Sequence, residues 1–521
     1  MRFVSDPTIA TKIARMKQRV RWGDALIKER GIDQTQLAIA GDDSDLSQNG
    51  FSFLVIGDSG TSRHIVDKPQ RKVTARMLEH VDECEFILHT GDVVYLAGSS
   101  EQYPDNFIKP YREFIVGGQS YKKIKFDRMT FKLPFLPTLG NHDYYDLPLA
   151  TSVVTNLFMP LRKLLRRRIN LDMGWHGSHQ GEGFARAFID CLQWVPGDLG
   201  AHLDKRYITK TTTGRCLEYV PGEFTRLPNR YYTFRRGGID FFALDSNTFN
   251  APQPLPKTEA GRRQRQKMET YRIRLEAKVD ALAAESAALD MDITEQAERA
   301  THIYAKIEQL EEQIWDIDKQ LTADRRDSDL DVEQLSWLRD RLIDSWRDES
   351  AKGRVLYFHH PPYVTETTKW YQGQTLAVRT NLRQTLDEVE EAIGEQPAGR
   401  PLVDLVLSGH AHCFEYLQTV DTGHGDRNIP WVVCGGSGFS LRRQRREGPV
   451  LEEYGDPVAE CHLFLGRTGH GREKKRPYTA LRVDVKYEGE HPQIVLRPLV
   501  AERQRDEWHN YDAEPIVVSK R

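Results

Sequence analysis

The sequence predicts an α/β fold carrying an inserted antiparallel helical hairpin, on three observations. Short apolar runs at Phe53–Ile56, Phe86–Thr90, Leu133–Leu139, Val355–Phe358 and Leu402–Ser408 read as buried strands, and each delivers a loop bearing oxygen or imidazole donors. Chemistry in open α/β sheets sits at such carboxyl ends of strands. Between the first two runs, Thr74–Asp82 reads as a crossover helix, which makes a βαβ unit and sets their loops side by side. Finally, residues 258–324 hold a heptad pattern too long to be one helix whose flanks both return to the core.

The chain has 521 residues, long enough for several average domains, yet the donor loops span residues 57–412 and must fold as one unit. The expected division is residues 1–50 as an N-terminal helix and linker, 51–500 as a catalytic domain with insertions at 151–228 and 258–324, and 501–521 as a polar surface tail. Lys plus Arg number 73 against 76 Asp plus Glu, and a net charge of -3 offers no global field to recruit nucleic acid or anionic membrane. No run approaches the ~18 apolar residues of a membrane span. The six cysteines lie far apart without Cys-x-x-Cys spacing, which points away from a zinc ribbon or dense disulfide framework and toward a reducing cytoplasm. Cys413, beside His412, reads as a buried structural thiol in preference to a metal ligand.

Taken in order, Ile9, Ile13, Met16 and Val20 are spaced as one face of a helix expected to end near Gly31, and Gly41 to Gly50 is a polar linker. Within 151–228, Leu157–Ile169 and Glu182–Leu192 read as helices. Arg162, Lys163, Arg166, Arg167 and Arg168 on the first form either a solvated face or a phosphate-binding one. Arg230–Phe234 and Ile239–Asp245 return to strand, and Gln334–Trp346 to helix. Ile429–Cys434 is a strand entering a glycine loop, and Leu481–Tyr487 with Gln493–Leu499 is a closing pair of strands.

The loops read Gly57-Asp58-Ser59-Gly60, Gly91-Asp92-Val93-Val94-Tyr95, Gly140-Asn141-His142-Asp143, His359-His360-Pro361-Pro362-Tyr363 and Gly409-His410-Ala411-His412. Carboxylate, amide and imidazole donors without thiolates suit hard or borderline cations. His359 and His360 are adjacent on an extended chain and point to opposite faces, so one of them can bind a given metal. Tyr95 reads either as a ligand or as a packed ring with its hydroxyl bonded to backbone, and His142 either as a proton donor or as a satisfied structural histidine.

In this order the blocks resemble the binuclear metallophosphoesterase (calcineurin-like) superfamily. Gly60 stands where that pattern usually has a histidine, and Tyr95 follows Asp92 by three residues, the arrangement of a purple acid phosphatase-like branch. The resemblance implies a sandwich of two β-sheets flanked by helices. It implies a first metal position of Asp58, Asp92, Tyr95 and His412, and a second of Asp92, Asn141, His359 and His410, with Asp92 bridging. A phenolate favours Fe(III), so the expected pair is Fe(III) at Tyr95 and a divalent ion, Zn, Fe or Mn, at the other position. The implied activity is hydrolysis of phosphate monoesters of a phosphorylated small molecule, by attack of a metal-bound hydroxide. His142 would be the general acid, with Asp143 or a nearby carboxylate setting its tautomer. His360, Arg442 and Arg443 are candidate substrate contacts, with packing and solvation the competing readings. The same core serves phosphodiesterases acting on nucleotides or cyclic nucleotides, and a non-catalytic metal-binding scaffold that kept the core without turnover is the reading from another class.

In the hairpin, Leu275, Leu282, Leu289, Ile303, Leu310 and Ile317 occupy one heptad position and Val279, Ile293, Ile307, Ile314 and Leu321 the other. Ser286, Gln296 and Ala300 weaken the seam, and Asp290, Asp292 and Thr294 can cap a new helix, so the reversal is expected near 290–296. The expectation is a coiled coil projecting from the domain, available for self-association or partner docking, with chemistry independent of it.

Overall fold

The computed structural model describes residues 5–41, 43, 45–60, 68–146, 177–290, 294–323, 330–394, 399–487 and 492–518. Leu157–Ile169 and its basic side chains lie outside the described residues.

Two sheets face each other. The larger runs, across the sheet, Val450–Glu453, Asp456–Leu465, Phe414–Thr419, Pro430–Cys434, Leu405–Ser408, Gly353–Tyr357, Ile239–Ala243, Tyr232–Arg236, Ile32–Ile39, Gly214–Tyr219 and Thr209–Thr211. The smaller runs Glu507–Asp512, Pro492–Gln504, Lys475–Tyr487, Phe51–Ile56, Cys84–His89 and Phe135–Pro137, with Ile516–Val517 beside Pro492–Gln504. The strands that deliver the donor loops are parallel within each sheet: Phe51–Ile56, Cys84–His89 and Phe135–Pro137 in one, Gly353–Tyr357 and Leu405–Ser408 in the other. All the loops therefore emerge at one end of the sandwich, where the two sheets present their carboxyl edges together.

Strand periodicity builds the layers. Phe53 and Phe86 of the smaller sheet meet Phe241 of the larger at 5.5 and 5.2 Å between ring centroids, in edge-to-face contacts that fill the interface. The next residue, Phe242, turns to the opposite face and packs with Leu338 and Leu342 of helix Val332–Arg347 and Leu382 and Leu386 of helix Gly373–Ile393. The crossover helix is Pro69–Leu78, earlier than the apolar spacing suggested, with Pro69 in its first turn where no amide partner is needed.

The N-terminal segment differs from expectation. The helix, capped by Thr8, ends at Arg19. Arg21 and Gly23 adopt left-handed backbone, φ 50° and 71°, and Asp24 caps a second short helix, Ala25–Glu29. Ile32–Ile39 is then a strand paired in parallel with Gly214–Tyr219 and Tyr232–Arg236, so this part of the expected N-terminal helix and linker is built into the larger sheet. At the other end, Glu507–Asp512 pairs antiparallel with Pro492–Gln504, so the expected loose tail is an exposed edge strand.

The hairpin forms with helices Glu259–Ala287 and Thr294–Thr322. Leu275, Leu310, Ile314 and Ile317 are buried in its seam, and Ser286 and Ala300 are buried near its tip. Arg272 pairs with Asp318 at 2.6 Å and Arg299 with Glu285 at 2.7 Å, contacts that only antiparallel helices can make together. It does not stand away from the domain. Lys319 reaches Asp6 at 2.7 Å, and Asp6 also holds Lys12 at 2.7 Å. Trp315 packs edge-on against Tyr145 at 4.9 Å, and Asp316 accepts the amides of Gly373 and Gln374 at 3.0 and 3.1 Å, satisfying the orphan donors of the helix they open. The second helix of the insertion is laid over the carboxyl end of the sandwich.

Candidate metal centre

Asp58 and Asp92 follow their strands in left-handed backbone, φ 51° and 58°, as does His410 at 65°. Non-glycine residues rarely adopt this region, and its use at three donor positions turns the side chains back over the strand ends. Close backbone approach is enforced by glycine: a Cβ on Gly140 would lie 2.0 Å from Asp92 Oδ1, and one on Gly60 2.4 Å from the Tyr95 ring. Gly60 is therefore the space that the tyrosine fills.

The Tyr95 hydroxyl lies 2.9 Å from Asp58 Oδ1, 2.9 Å from Asp92 Oδ2 and 3.2 Å from His412 Nε2. These are the four side chains expected at the first position, and all are buried. At the second, His359 Nε2 lies 2.9 Å from Asn141 Oδ1 and 3.3 Å from Asp92 Oδ2, so one Asp92 oxygen faces both groups. The other Asp92 oxygen accepts the His142 amide at 2.9 Å, and Asp58 Oδ2 accepts the His410 amide at 2.8 Å. His359 Nδ1 donates to the Thr90 carbonyl at 2.8 Å, which leaves Nε2 as the donor toward a cation. His410 presents Nε2 to Lys369 Nζ at 3.0 Å and Gln374 at 3.1 Å, leaving Nδ1 as its other ring donor.

The electrostatics fit a cation. Burial, with the charge of Asp92 adding to it, raises Asp58 to about 8, although His359 opposes this. Burial alone would raise Asp92 as well, but His359 and His142 hold it well below the usual carboxylate range. Burial pushes His412 down to about 3 and His410 well below its ordinary value. Two buried carboxylates, a phenol between them and the neutral imidazoles of His410 and His412 are donors that a hard or borderline cation gathers, and such a cation would take the place of the protons that Asp58 and His359, both raised, hold without it.

His142 Nδ1 donates to the Leu96 carbonyl at 2.6 Å, and its Nε2 faces the site, 4.0 Å from Asp92 Oδ2. Asp143 does not set this tautomer. Its carboxylate accepts the amides of Gly140, Asp92 and Val93 at 2.9, 3.0 and 3.2 Å, tying two donor loops together, and burial raises it to about 7. Its catalytic role is replaced by a positioning one. His360 has both ring nitrogens engaged, with Ser246 Oγ 2.8 Å from Nδ1 and the Asn250 amide 3.3 Å from Nε2, yet it does not point away from His359 as expected: His359, His360 and His410 bring ligand atoms within 4.8 Å of one another. Arg443 donates to the Gly469 carbonyl, whereas Arg442 is buried and anchored beside His412. Cys413 is buried and turned toward Glu415, and all six cysteines are free.

The residue that sequence reasoning missed is Glu312, on the second helix of the insertion. Its carboxylate lies 3.2 Å from Lys369 Nζ and 4.0 Å from His142 Nε2. Burial opposes its ionisation, but Lys369, His142 and Arg442 together hold it well below the usual range. The hairpin, expected to project from the domain, thus brings a carboxylate to the candidate site. A signal existed: Ala305, Gln309, Glu312, Asp316 and Lys319 recur at the same spacing as the apolar seam, and that second face is the one pressed on the site.

The calcineurin-like phosphoesterase family model matches residues 51–196. No curated protein matches the chain. Among solved structures, a purple acid phosphatase isolated from yellow lupin (Lupinus luteus) seeds is 12% identical, with 90% of this chain and 54% of that one covered and a TM-score of 0.41. This chain thus spans about half the length of the lupin enzyme. GAP50, the anchor in the inner membrane complex of Plasmodium, is 12% identical over 90% of each chain, with a TM-score of 0.36. No helix among the described residues is long and apolar enough to cross a membrane.

Proposed function

We propose that this chain, whose residues 51–196 match the calcineurin-like phosphoesterase family model, is a metal-dependent phosphoesterase that hydrolyses phosphate monoesters at a binuclear centre. The observation that carries the proposal is the convergence of the Tyr95 hydroxyl on Asp58, Asp92 and His412, with Asp92 Oδ2 also facing His359 and Asn141. Asp58, Asp92, Tyr95 and His412 would hold Fe(III), and Asp92, Asn141, His359 and His410 a divalent ion, Zn, Fe or Mn. When bound, such a pair lowers the pKa of water and neutralises phosphoryl oxygens.

The chain's own side chains do the rest. Leu96 fixes the His142 ring so that Nε2 meets the site, where it protonates the departing ester oxygen. Glu312 lies 4.0 Å from the same nitrogen, and Lys369 balances Glu312. Asp143 and Thr90 hold the donor loops in register through backbone amides and the His359 ring. The second helix of the insertion excludes bulk water from the buried donors, which strengthens every charge interaction within.

Lys369 supports a second reading, a metal-binding scaffold without turnover, because its ammonium sits against His410 and competes with charge at the second position. One experiment separates the readings. Metal analysis of the purified protein, with hydrolysis assays on aryl phosphate monoesters and diesters, should give two ions per chain and faster monoester turnover. A protein with one ion and no turnover of either ester would establish the scaffold, and faster diester turnover would establish a phosphodiesterase.

A further inference from the structure

A track of cations runs from the protein surface to the metal centre, and we propose that it binds the additional phosphates of a polyphosphorylated small-molecule substrate whose terminal phosphoryl group reaches the centre. The proposal rests on the phosphoesterase reading and names its substrate class. Arg442 is the inner end. Its amide donates to the His412 carbonyl at 2.8 Å, and its side chain is 3% exposed. Guanidinium Nη1 donates to the Ala305 carbonyl on the second helix of the insertion at 3.1 Å, while buried Nη2 has no hydrogen-bond partner among the described residues. Next comes Arg467, whose amide donates to the Arg442 carbonyl at 2.7 Å and whose buried Nε also has none. At the outer end, Lys474 Nζ and an Arg476 guanidinium nitrogen approach His302 Nε2 at 3.2 and 2.9 Å, and Lys306 is exposed one residue beyond Ala305.

The carboxylates facing these cations are Glu312, already paired with Lys369, and buried Glu366, whose Oε2 is taken by Thr368 and whose Oε1 has no hydrogen-bond partner among the described residues, two acids against Arg442, Arg467, Lys474, Arg476 and Lys306. The excess shows in the cations themselves. Arg467 is pushed down to about 10 by burial and then by Arg442, Arg443 and Arg476, and His302 to about 4 by burial and then by Lys474 and Arg476. Like charges gathered in a desolvated place raise one another's energy, and an anionic ligand with several oxygens removes that cost. Guanidinium groups match phosphate oxygens in geometry as well as charge. The inner anchor is buried under a helix beside the donor loop, out of reach of a folded macromolecule.

Methylphosphonate and methylenebisphosphonate, neither of which carries a hydrolysable ester, probe the track by isothermal titration into the full-length protein, as purified and after chelation. The wild type should bind the bisphosphonate at least about tenfold more tightly in both states, and the pair of changes Lys306→Gln and Arg467→Gln should remove about tenfold of that preference. Lys306→Gln alone, at an exposed helical position, should remove part of it with the fold intact. No preference in the wild type, a preference lost on chelation, or one unchanged in both variants would overturn the site. A protein without turnover that keeps the preference defeats the phosphoesterase reading only, and an active phosphoesterase without it defeats the track only.

Discussion

Replacing Glu312 by Gln tests whether the inserted hairpin is part of the site. The carboxylate lies 3.2 Å from Lys369 Nζ, with side-chain exposures of 11% and 2%. At that separation and an effective dielectric constant of about 20, the gross attraction is about 5 kcal/mol. Glutamine keeps the shape but leaves the Lys369 ammonium buried against His410 without its paired carboxylate, with only Glu366 and Asp316 acting on it from farther off, a change that costs about 3–5 kcal/mol where no water can enter. Partial exposure of Glu312 places the expectation near the lower end, about 3 kcal/mol. Lys369→Met alone strands the carboxylate and should cost a similar amount, whereas the double variant removes both charges and should recover at least about 2 kcal/mol of the summed loss. Equilibrium urea unfolding followed by tryptophan fluorescence measures all four proteins. Single losses under about 0.5 kcal/mol, or a double variant equal to the sum of the singles, would refute a buried Glu312–Lys369 pair and with it the seating of the hairpin on the site.

Asp92→Asn should empty both metal positions, because Asp92 Oδ2 faces both donor groups, whereas His142→Ala should keep metal and lose turnover chiefly for esters with poor leaving groups; metal content beside a leaving-group series checks the contrast. With Fe(III) bound, Tyr95 should give a visible phenolate-to-iron absorption that Tyr95→Phe bleaches, and a colourless wild type containing Fe(III) at that position would exclude tyrosine ligation. Replacing residues 259–323 with a short Gly/Ser linker should lower monoester hydrolysis at least about tenfold, since it removes Glu312 and uncovers the donors; undiminished turnover in the folded variant would return the hairpin to a peripheral role. Asp6 sits between Lys12 and Lys319 and is lowered to about 2 against burial, so its stabilisation, on the order of 2 kcal/mol, is present above about pH 4 and fades as pH falls toward 2. Asp6→Asn should flatten that part of the stability profile, and an unchanged acid limb would remove the ion triad from the account.

The donor blocks were legible in the sequence because each follows a run of buried β-formers, and all but the His359 block open on a glycine that permits close approach. Asp58, Asp92, Tyr95, Asn141, His359, His410 and His412 could be grouped before any coordinates, and the structure brings the Tyr95 group and the His359 group together. The hairpin seam was equally readable, since a heptad is a property of one segment. Ile32–Ile39 was not: its side chains are mixed in polarity, and it becomes a strand only because Gly214–Tyr219 and Tyr232–Arg236 supply its backbone partners from some two hundred residues away. Asp143 was misassigned for a related reason, because an acidic side chain beside a histidine in sequence is free to turn to whichever amides the fold offers, here those of Gly140, Asp92 and Val93. Glu312 marks the boundary most sharply. A polar stripe on a long helix is solvated by default, and its identity as part of the site depends on where that helix comes to rest, which long-range packing through Asp6, Trp315 and Asp316 decides and no local pattern encodes.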